Sequence, residues 1–306
     1  MNILITGVAG FIGSYLVEEL LNSGKKITGI DRNANDSLAE QIYSYIIYDL
    51  SDKQNINDIC IDIDVVVHLA GESSLDKNAD IYEKDVRLAS VNLINSAVSN
   101  KVKKVILLST IKVDTSSQYS NQKLYIETLL KNKTECTATD YTIIRSASVY
   151  GKGMKSNIAS WLWRIEKSTM PSLPKSDSQI EMVGINDLCK CISQCLGNNE
   201  TNNKTYSLSD EYEYNINEIE SVAREVFHKK KSLFVCPKWV IFCGSKFGDI
   251  LALFHIKFSL NSRVYNFLFH NKVSNKNHYY AGTSYSSTQN FLNEIPHIFV
   301  EQKIKL

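Results

Sequence analysis

Asn2-Ile3-Leu4-Ile5-Thr6-Gly7-Val8-Ala9-Gly10-Phe11-Ile12-Gly13 opens the chain, and its reading decides the fold. The Ile-rich run ending at Thr6 reads as a strand, and three glycines follow at Gly-x-x-Gly-x-x-Gly spacing. Beyond them Ile12, Leu16, Leu20 and Leu21 recur at helical spacing, which predicts an apolar stripe on a helix that Gly24 stops. In a strand–turn–helix setting the glycines let the backbone turn tightly and approach a pyrophosphate. The helix N–H groups and the positive end of the helix then hold the phosphate charge. Gly7, Gly10, Phe11, Ile12 and Gly13 are therefore candidate dinucleotide contacts.

Short apolar runs alternate with helical stretches through the first 150 residues, as in stacked βαβ units. Lys26 to Asp31, Tyr45 to Leu50, Val65 to Ala70, Val105 to Thr110 and Tyr141 to Ser146 add five strands rich in Val, Ile or Leu, as sheets buried on both faces require. The expected fold is α/β: a doubly wound parallel sheet (Rossmann) of at least six strands over residues 1–153. A smaller, mainly helical substrate lobe over 154–306 is expected to return some strands to that sheet. Its helices are read at Ile158 to Lys167, Asp187 to Leu196, Ile216 to Phe227 and Lys238 to Phe254.

The chain has 306 residues with 34 basic against 33 acidic, a net charge of +1 that offers no long-range field toward nucleic acid or an acidic membrane. A small-molecule substrate is favoured, with neither nucleic acid nor membrane as partner. Seven cysteines at irregular spacing do not read as a disulfide framework, and no basic leader precedes the first strand, so a cytoplasmic protein is expected. The apolar run Trp239 to Cys243 is far shorter than a membrane span and reads as part of an amphipathic helix.

Asp31, at the end of the second strand, is where a carboxylate hydrogen-bonds the adenosine ribose, which favours NAD; Arg32 beside it leaves NADP open. Asp49 and Leu50 close the third strand, where the carboxylate either meets the adenine amino group or serves as a turn residue. Leu69, Ala70 and Gly71 close the fourth, where small side chains let a ribose lie close. His68 reads as a packed strand histidine.

Tyr119 and Lys123 stand four residues apart and hence on one helix face, just past Ser109-Thr110 at the end of the fifth strand. Ligands of doubly wound sheets sit beyond the carboxyl ends of strands. A tyrosine must fall from about 10 toward 7 to exchange protons at neutral pH, and a neighbouring cation supplies part of that shift. Lys123 is that cation.

The glycine loop, Asp31, His68-Leu69-Ala70-Gly71, Ser109-Thr110, Tyr119 with Lys123 and Glu127, and Ile144-Arg145 through Val149-Tyr150-Gly151 together resemble the extended short-chain dehydrogenase/reductase family. The resemblance runs in order to Asn186-Asp187-Leu188. It implies that Thr110 holds a substrate oxygen, Tyr119 acts as acid and base, and Lys123 also binds the nicotinamide ribose. A nucleotide-sugar substrate and a homodimer are implied as well.

Several positions depart from the family pattern. Only Ile111 to Gln118 precede the tyrosine, Asp114 and Ser146 replace a usual tyrosine and proline, and Gln179 or Ile180 stands where many members carry a basic residue for the substrate diphosphate. Ser109 to Val113 and Gly151 to Asn157 are similar to sugar 4-ketoreductases of bacterial surface-polysaccharide pathways, in which Asn157 would contact substrate; its other reading is a helix N-cap. Trp161 and Trp163 face opposite sides of their helix, so at most one lines a pocket, and Trp161 is taken as the candidate.

The first expectation is thus NAD(P)H-dependent reduction of a nucleotide-linked 4-keto sugar, the second an NAD-dependent nucleotide-sugar 4-epimerase. A dehydratase fits less well, because Ile111 and Lys112 follow Thr110 where that subgroup resembles an Asp-Glu pair. A non-catalytic dinucleotide sensor is the alternative of another class. No metal site is expected, because Cys189 and Cys191 are predicted on different helix faces and no Cys-x-x-Cys pair occurs. His228 and Lys229 to Lys231 read as a solvated helix end.

Overall fold

The computed structural model describes residues 1–21, 23–52, 58–71, 87–114, 118–154, 156–169, 171–230, 235–253, 260–270 and 287–298. The described chain divides into two compact units. One comprises 1–149 with 183–209; the other comprises 150–182, 210–270 and 287–298. The chain thus leaves the first unit near Val149 and re-enters it at Val183, whereas the sequence suggests one division at 153 with strands returning.

The first unit is built on a seven-stranded sheet: β1 (Asn2–Thr6), β2 (Lys26–Asp31), β3 (Ser44–Ile47), β4 (Val65–His68), β5 (Lys104–Thr110), β6 (Asp140–Ser146) and β9 (Lys204–Leu208), in the order β3-β2-β1-β4-β5-β6-β9. Every neighbouring pair is parallel, with Ile3 opposite Ile27 and Val65, and Ser109 opposite Arg145. Strands β7 (Ser148–Tyr150), β8 (Gln179–Gly184) and β10 (Glu213–Asn215) lie outside this sheet. The chain reverses its winding between β1 and β4, so a crevice opens past their carboxyl ends, where ligands of such sheets bind.

Alternation along the strands explains the two apolar layers. Ile3, Ile5, Val65, Val67, Ile106, Leu108 and Ile144 face one way, into a core shared with α1 (Phe11–Leu21) and residues of Ile185–Cys195. Leu4, Val66, Val105, Leu107 and Ile143 face the other, with α2 (Ala89–Ser99) and α3 (Gln118–Thr134). Strands covered on both faces have no polar side to show, hence their continuous apolar composition.

Two local expectations are corrected. The buried stripe of α1 is Gly13, Leu16, Val17 and Leu20, while Ile12 is half-buried and Leu21 is exposed; the helix meets the sheet about one position off the expected stripe. The helix read at Asp187 to Leu196 runs over Ile185–Cys195 and packs beside α1 in the first unit, not in the lobe. On it Cys189 and Cys191 are both buried yet lie on different faces, Cys189 toward Ile12 and Cys191 toward Cys195, because residues two apart on a helix point about 160–200° apart.

In the second unit, α4 (Asn157–Glu166), α6 (Ile216–Val226) and α7 (Lys238–Leu253) match expected helical segments, α8 (Ser262–Phe269) is a helix the sequence reading does not include, and α5 is Ile185–Cys195 of the first unit. Glu213 to Asn215 pair antiparallel with Glu181 to Gln179. The rings of Tyr150, Tyr214 and Phe291 pack together, and the Tyr214 hydroxyl donates to the buried Asp210 carboxylate at 2.6 Å. Among the described residues no helix is long and apolar enough to cross a membrane.

Candidate active site in the first unit

The glycine loop is anchored before it turns: the N–H of Gly7 donates to the Ile30 carbonyl at 2.8 Å, and that of Gly10 to the Gly7 carbonyl at 3.0 Å. Gly7 has φ +72°, and a Cβ there would lie 2.9 Å from the backbone of Ala70. A Cβ on Gly13 would lie 2.6 Å from the Val8 carbonyl oxygen and 2.7 Å from its Cα. Two of the three glycines are thus demanded by close backbone approach, and α1 starts directly beneath them with its first-turn N–H groups toward the crevice. Asp31 closes the rim: one carboxylate oxygen accepts from the Ala9 N–H at 3.2 Å, the other from the Asn33 N–H at 3.0 Å. The close-turning backbone, the helix N-terminus and the Asp31 carboxylate at the rim are the donor and acceptor set that a dinucleotide requires. Asp49 accepts from the Ser51 N–H at 2.8 Å, and Leu50 is buried in the core layer against which Ile46 and Ala70 pack.

His68 is oriented on both sides. Its Nδ1 lies 2.8 Å from the Thr6 hydroxyl and its Nε2 2.8 Å from the Ser90 hydroxyl. Burial, and secondarily the Lys123 cation, push it down to about 3, so it stays neutral. The Thr6 hydroxyl also accepts from the Ala70 N–H at 3.2 Å, so a Thr6–His68–Ser90 chain pins the Leu69-Ala70-Gly71 turn against Gly7. Sequence reading places His68 in the packing but misses Thr6 and Ser90, because the β1–β4 register brings Thr6 to it from 62 positions away and the packing of α2 on the sheet brings Ser90 from 22 positions away.

Lys123, one turn after Tyr119 on α3, is buried, donates to the Leu108 carbonyl at 3.1 Å, and stands 6.0 Å from the Tyr119 ring centre. A Cβ on Gly71 would lie 3.6 Å from its Nζ, so Gly71 leaves open the space above the ammonium. Burial pushes Lys123 down to about 8, and the Glu127 carboxylate opposes that shift, so the side chain is still a cation at neutral pH. Thr110 ends β5 half-buried, its Oγ1 accepting from the Lys112 N–H at 3.2 Å.

Beneath these groups is a network to which the sequence assigns no role. Glu127 accepts from the Ser109 hydroxyl at 2.5 Å and from Arg145 through Nε at 3.0 and 3.1 Å and a terminal nitrogen at 2.6 Å. The pattern carries a trace of it, since Glu127 is four residues beyond Lys123 and eight beyond Tyr119. Its partner Arg145 needs the register that sets it beside Ser109.

A phenol, a cation one helical turn away and a hydroxyl at the end of a central strand, all beside a glycine cradle, suit proton exchange coupled to hydride transfer. Residues 3–209 match the NAD dependent epimerase/dehydratase family. The chain belongs to that family.

Membership makes it an NAD-dependent enzyme of the extended short-chain dehydrogenase/reductase type. The UDP-glucose 4-epimerase of Vibrio cholerae is 25% identical over 281 residues, covering 82% of each chain. Among solved structures, the UDP-glucose 4-epimerase of Thermotoga maritima with UDP-glucose superposes with TM-score 0.68 at 21% identity, covering 78% of this chain and 86% of that one. The Thermus thermophilus UDP-glucose 4-epimerase complex with NAD gives TM-score 0.67 at 19% identity, covering 78% and 86%.

Asn157 and Trp161 belong to the second unit. Asn157 is exposed and is the first residue of α4; the N-cap is Ser156, whose hydroxyl accepts from the Ala159 N–H at 3.2 Å, so the capping reading of Asn157 is corrected. Trp161 is buried and Trp163 exposed. Gln179 and Ile180 lie on β8, and the short loop before Tyr119 includes residues 115–117, which lie outside the described residues.

Proposed function

We propose that this family member is an NAD-dependent nucleotide-sugar 4-epimerase. The observation that carries this reading is the alignment with a UDP-glucose 4-epimerase over 82% of both chains. It supports the second of the two enzymatic expectations over the first, net reduction of a 4-keto sugar. Both use the same residues, so the site alone favours neither.

When bound, NAD would supply the hydride acceptor and donor for the sugar C4. Tyr119 Oη takes the proton of the C4 hydroxyl and gives it back after the keto sugar has presented its other face. Lys123 keeps a positive charge beside the phenol, and Thr110 Oγ1 bonds the sugar oxygen. Gly7 to Gly13 and Asp31 hold the dinucleotide at the crevice, and Leu69-Ala70-Gly71 leave room above the Lys123 ammonium.

The test is acid release of dinucleotide from fresh protein, with turnover of UDP-glucose and UDP-galactose assayed without added cofactor. Epimerisation requires bound NAD and interconversion with no net NADH consumed. Stoichiometric NADH consumption by a 4-keto sugar refutes it in favour of the reductase. Tyr119→Phe is expected to lower turnover by about 10²- to 10⁴-fold with dinucleotide binding retained; unchanged turnover would remove Tyr119 from the acid–base role, and dinucleotide binding without turnover in the unsubstituted protein would support the non-catalytic alternative.

A further inference from the structure

Helix α2 carries two buried polar side chains, Ser90 and Asn92, among apolar neighbours such as Leu93, Ile94 and Ala97. Residues two apart on a helix point to nearly opposite sides, so the pair reaches two different parts of the first unit. Asn92 Nδ2 donates to the Leu50 carbonyl at 2.9 Å, in the turn that follows β3. The Ser90 hydroxyl meets His68 Nε2 at 2.8 Å, at the last residue of β4. In the sheet order β3-β2-β1-β4 these two grips flank the ends of β2 and β1, which carry Asp31 and the glycine loop. One helix thus spans the sheet behind the dinucleotide cradle and holds it at both margins.

The grip at β4 has a defined polarity. Thr6 is fully buried, and its Oγ1 accepts the Ala70 N–H at 3.2 Å and lies 2.8 Å from His68 Nδ1. Among the described residues these are its hydrogen-bond partners, so the hydroxyl proton goes to Nδ1. His68 therefore carries its proton on Nε2 and donates it to Ser90 Oγ. The Leu69 N–H donates to the Thr6 carbonyl at 3.2 Å, and a Cβ on Gly7 would lie 2.9 Å from the Ala70 backbone. The turn after β4 stands against the glycine loop without slack, and Ser90 is the far end of the chain that fixes it.

We propose that Ser90 and Asn92 are positioning residues for the dinucleotide, α2 holding the ends of β3 and β4 at the separation the cradle between them needs. Binding groups have to be kept within about 0.5 Å of their productive geometry by the residues behind them, and a helix does this more exactly than a loop. Dinucleotide binding is common to the epimerase and reductase readings, so the role of α2 holds for either. Ser96, on the same helix and fully buried, supplies the contrast: its hydroxyl bonds the thiol of Cys60, ahead of the amino end of β4 and away from the cradle.

The experiment is NADH fluorescence titration of the full-length protein and its Ser90→Ala, Ser90→Thr, Asn92→Leu and Ser96→Ala variants, each with a thermal unfolding curve. Ser90→Ala and Asn92→Leu are expected to weaken NADH binding by about tenfold. Ser90→Thr, which restores the acceptor, and Ser96→Ala, which loses a buried hydroxyl elsewhere on α2, should bind within about twofold of the unsubstituted protein. In ¹⁵N-histidine NMR of the unsubstituted protein the protonated ring nitrogen of His68 should be Nε2. Unchanged affinity in Ser90→Ala or Asn92→Leu overturns the proposal, as does equal weakening by Ser96→Ala, failure of Ser90→Thr to restore binding, or a proton on Nδ1. The two grips are independent, so if one variant does not fold the other decides.

Discussion

Glu127 and Arg145 make an asymmetric ion pair, and removing its two halves should have unequal consequences. The Glu127 side chain is 1% exposed and that of Arg145 24%. Glu127→Gln leaves an arginine that water reaches; Arg145→Met leaves a buried carboxylate with Ser109 as its main remaining donor. Breaking a buried pair costs about 3–5 kcal/mol, and hydrogen bonds to charged groups contribute about 1.5–3 kcal/mol each. Arg145→Met should therefore fall in the upper range. Glu127→Gln, discounted for solvent at the arginine, should cost about 2–3 kcal/mol. Urea unfolding at pH 7 followed by fluorescence measures both. A second readout separates electrostatics from scaffolding. Glu127 is what raises the Lys123 pKa against burial, so in Glu127→Gln the ammonium should lose its proton below the wild-type position of about 8, and the alkaline limb of turnover should move to lower pH. Equal costs, the reverse order, or an unmoved alkaline limb would refute the reasoning.

Gly13→Ala should abolish NADH binding in a fluorescence titration and destabilise by about 1–3 kcal/mol, because the new Cβ meets Val8 backbone rather than a yielding side chain. Gly24→Ala, at φ +65° in open space, should bind normally despite backbone strain. His68 has its folded pKa lowered from 6.5 to about 3, so only the unfolded chain takes up its proton in that window. This contribution makes stability fall as pH drops from 6.5 toward 3, by at most about 1.4 kcal/mol per pH unit. His68→Gln, measured by thermal unfolding across that range, should lack this part of the slope.

What the sequence by itself determined is whatever depends on neighbours along the chain. Strands at Asn2–Thr6 and Lys26–Asp31 follow from short apolar runs, the glycine turn from three glycines between strand and helix, and the Tyr119–Lys123 pair from one turn of helix. Local periodicity is set by backbone geometry, which every residue carries with it. The tertiary structure alone decided what depends on register and on which face an element buries. Parallel strands brought Thr6 to His68 and Arg145 to Ser109, and a return of the chain supplied β9 and α5 to the first unit. Burial then divided residues of equal hydrophobicity: Ile241 lies inside while Trp239, Phe247 and Ile250 lie outside. Helical spacing assigns residues to faces, but which face is covered depends on what packs against it, and those partners come from distant parts of the chain.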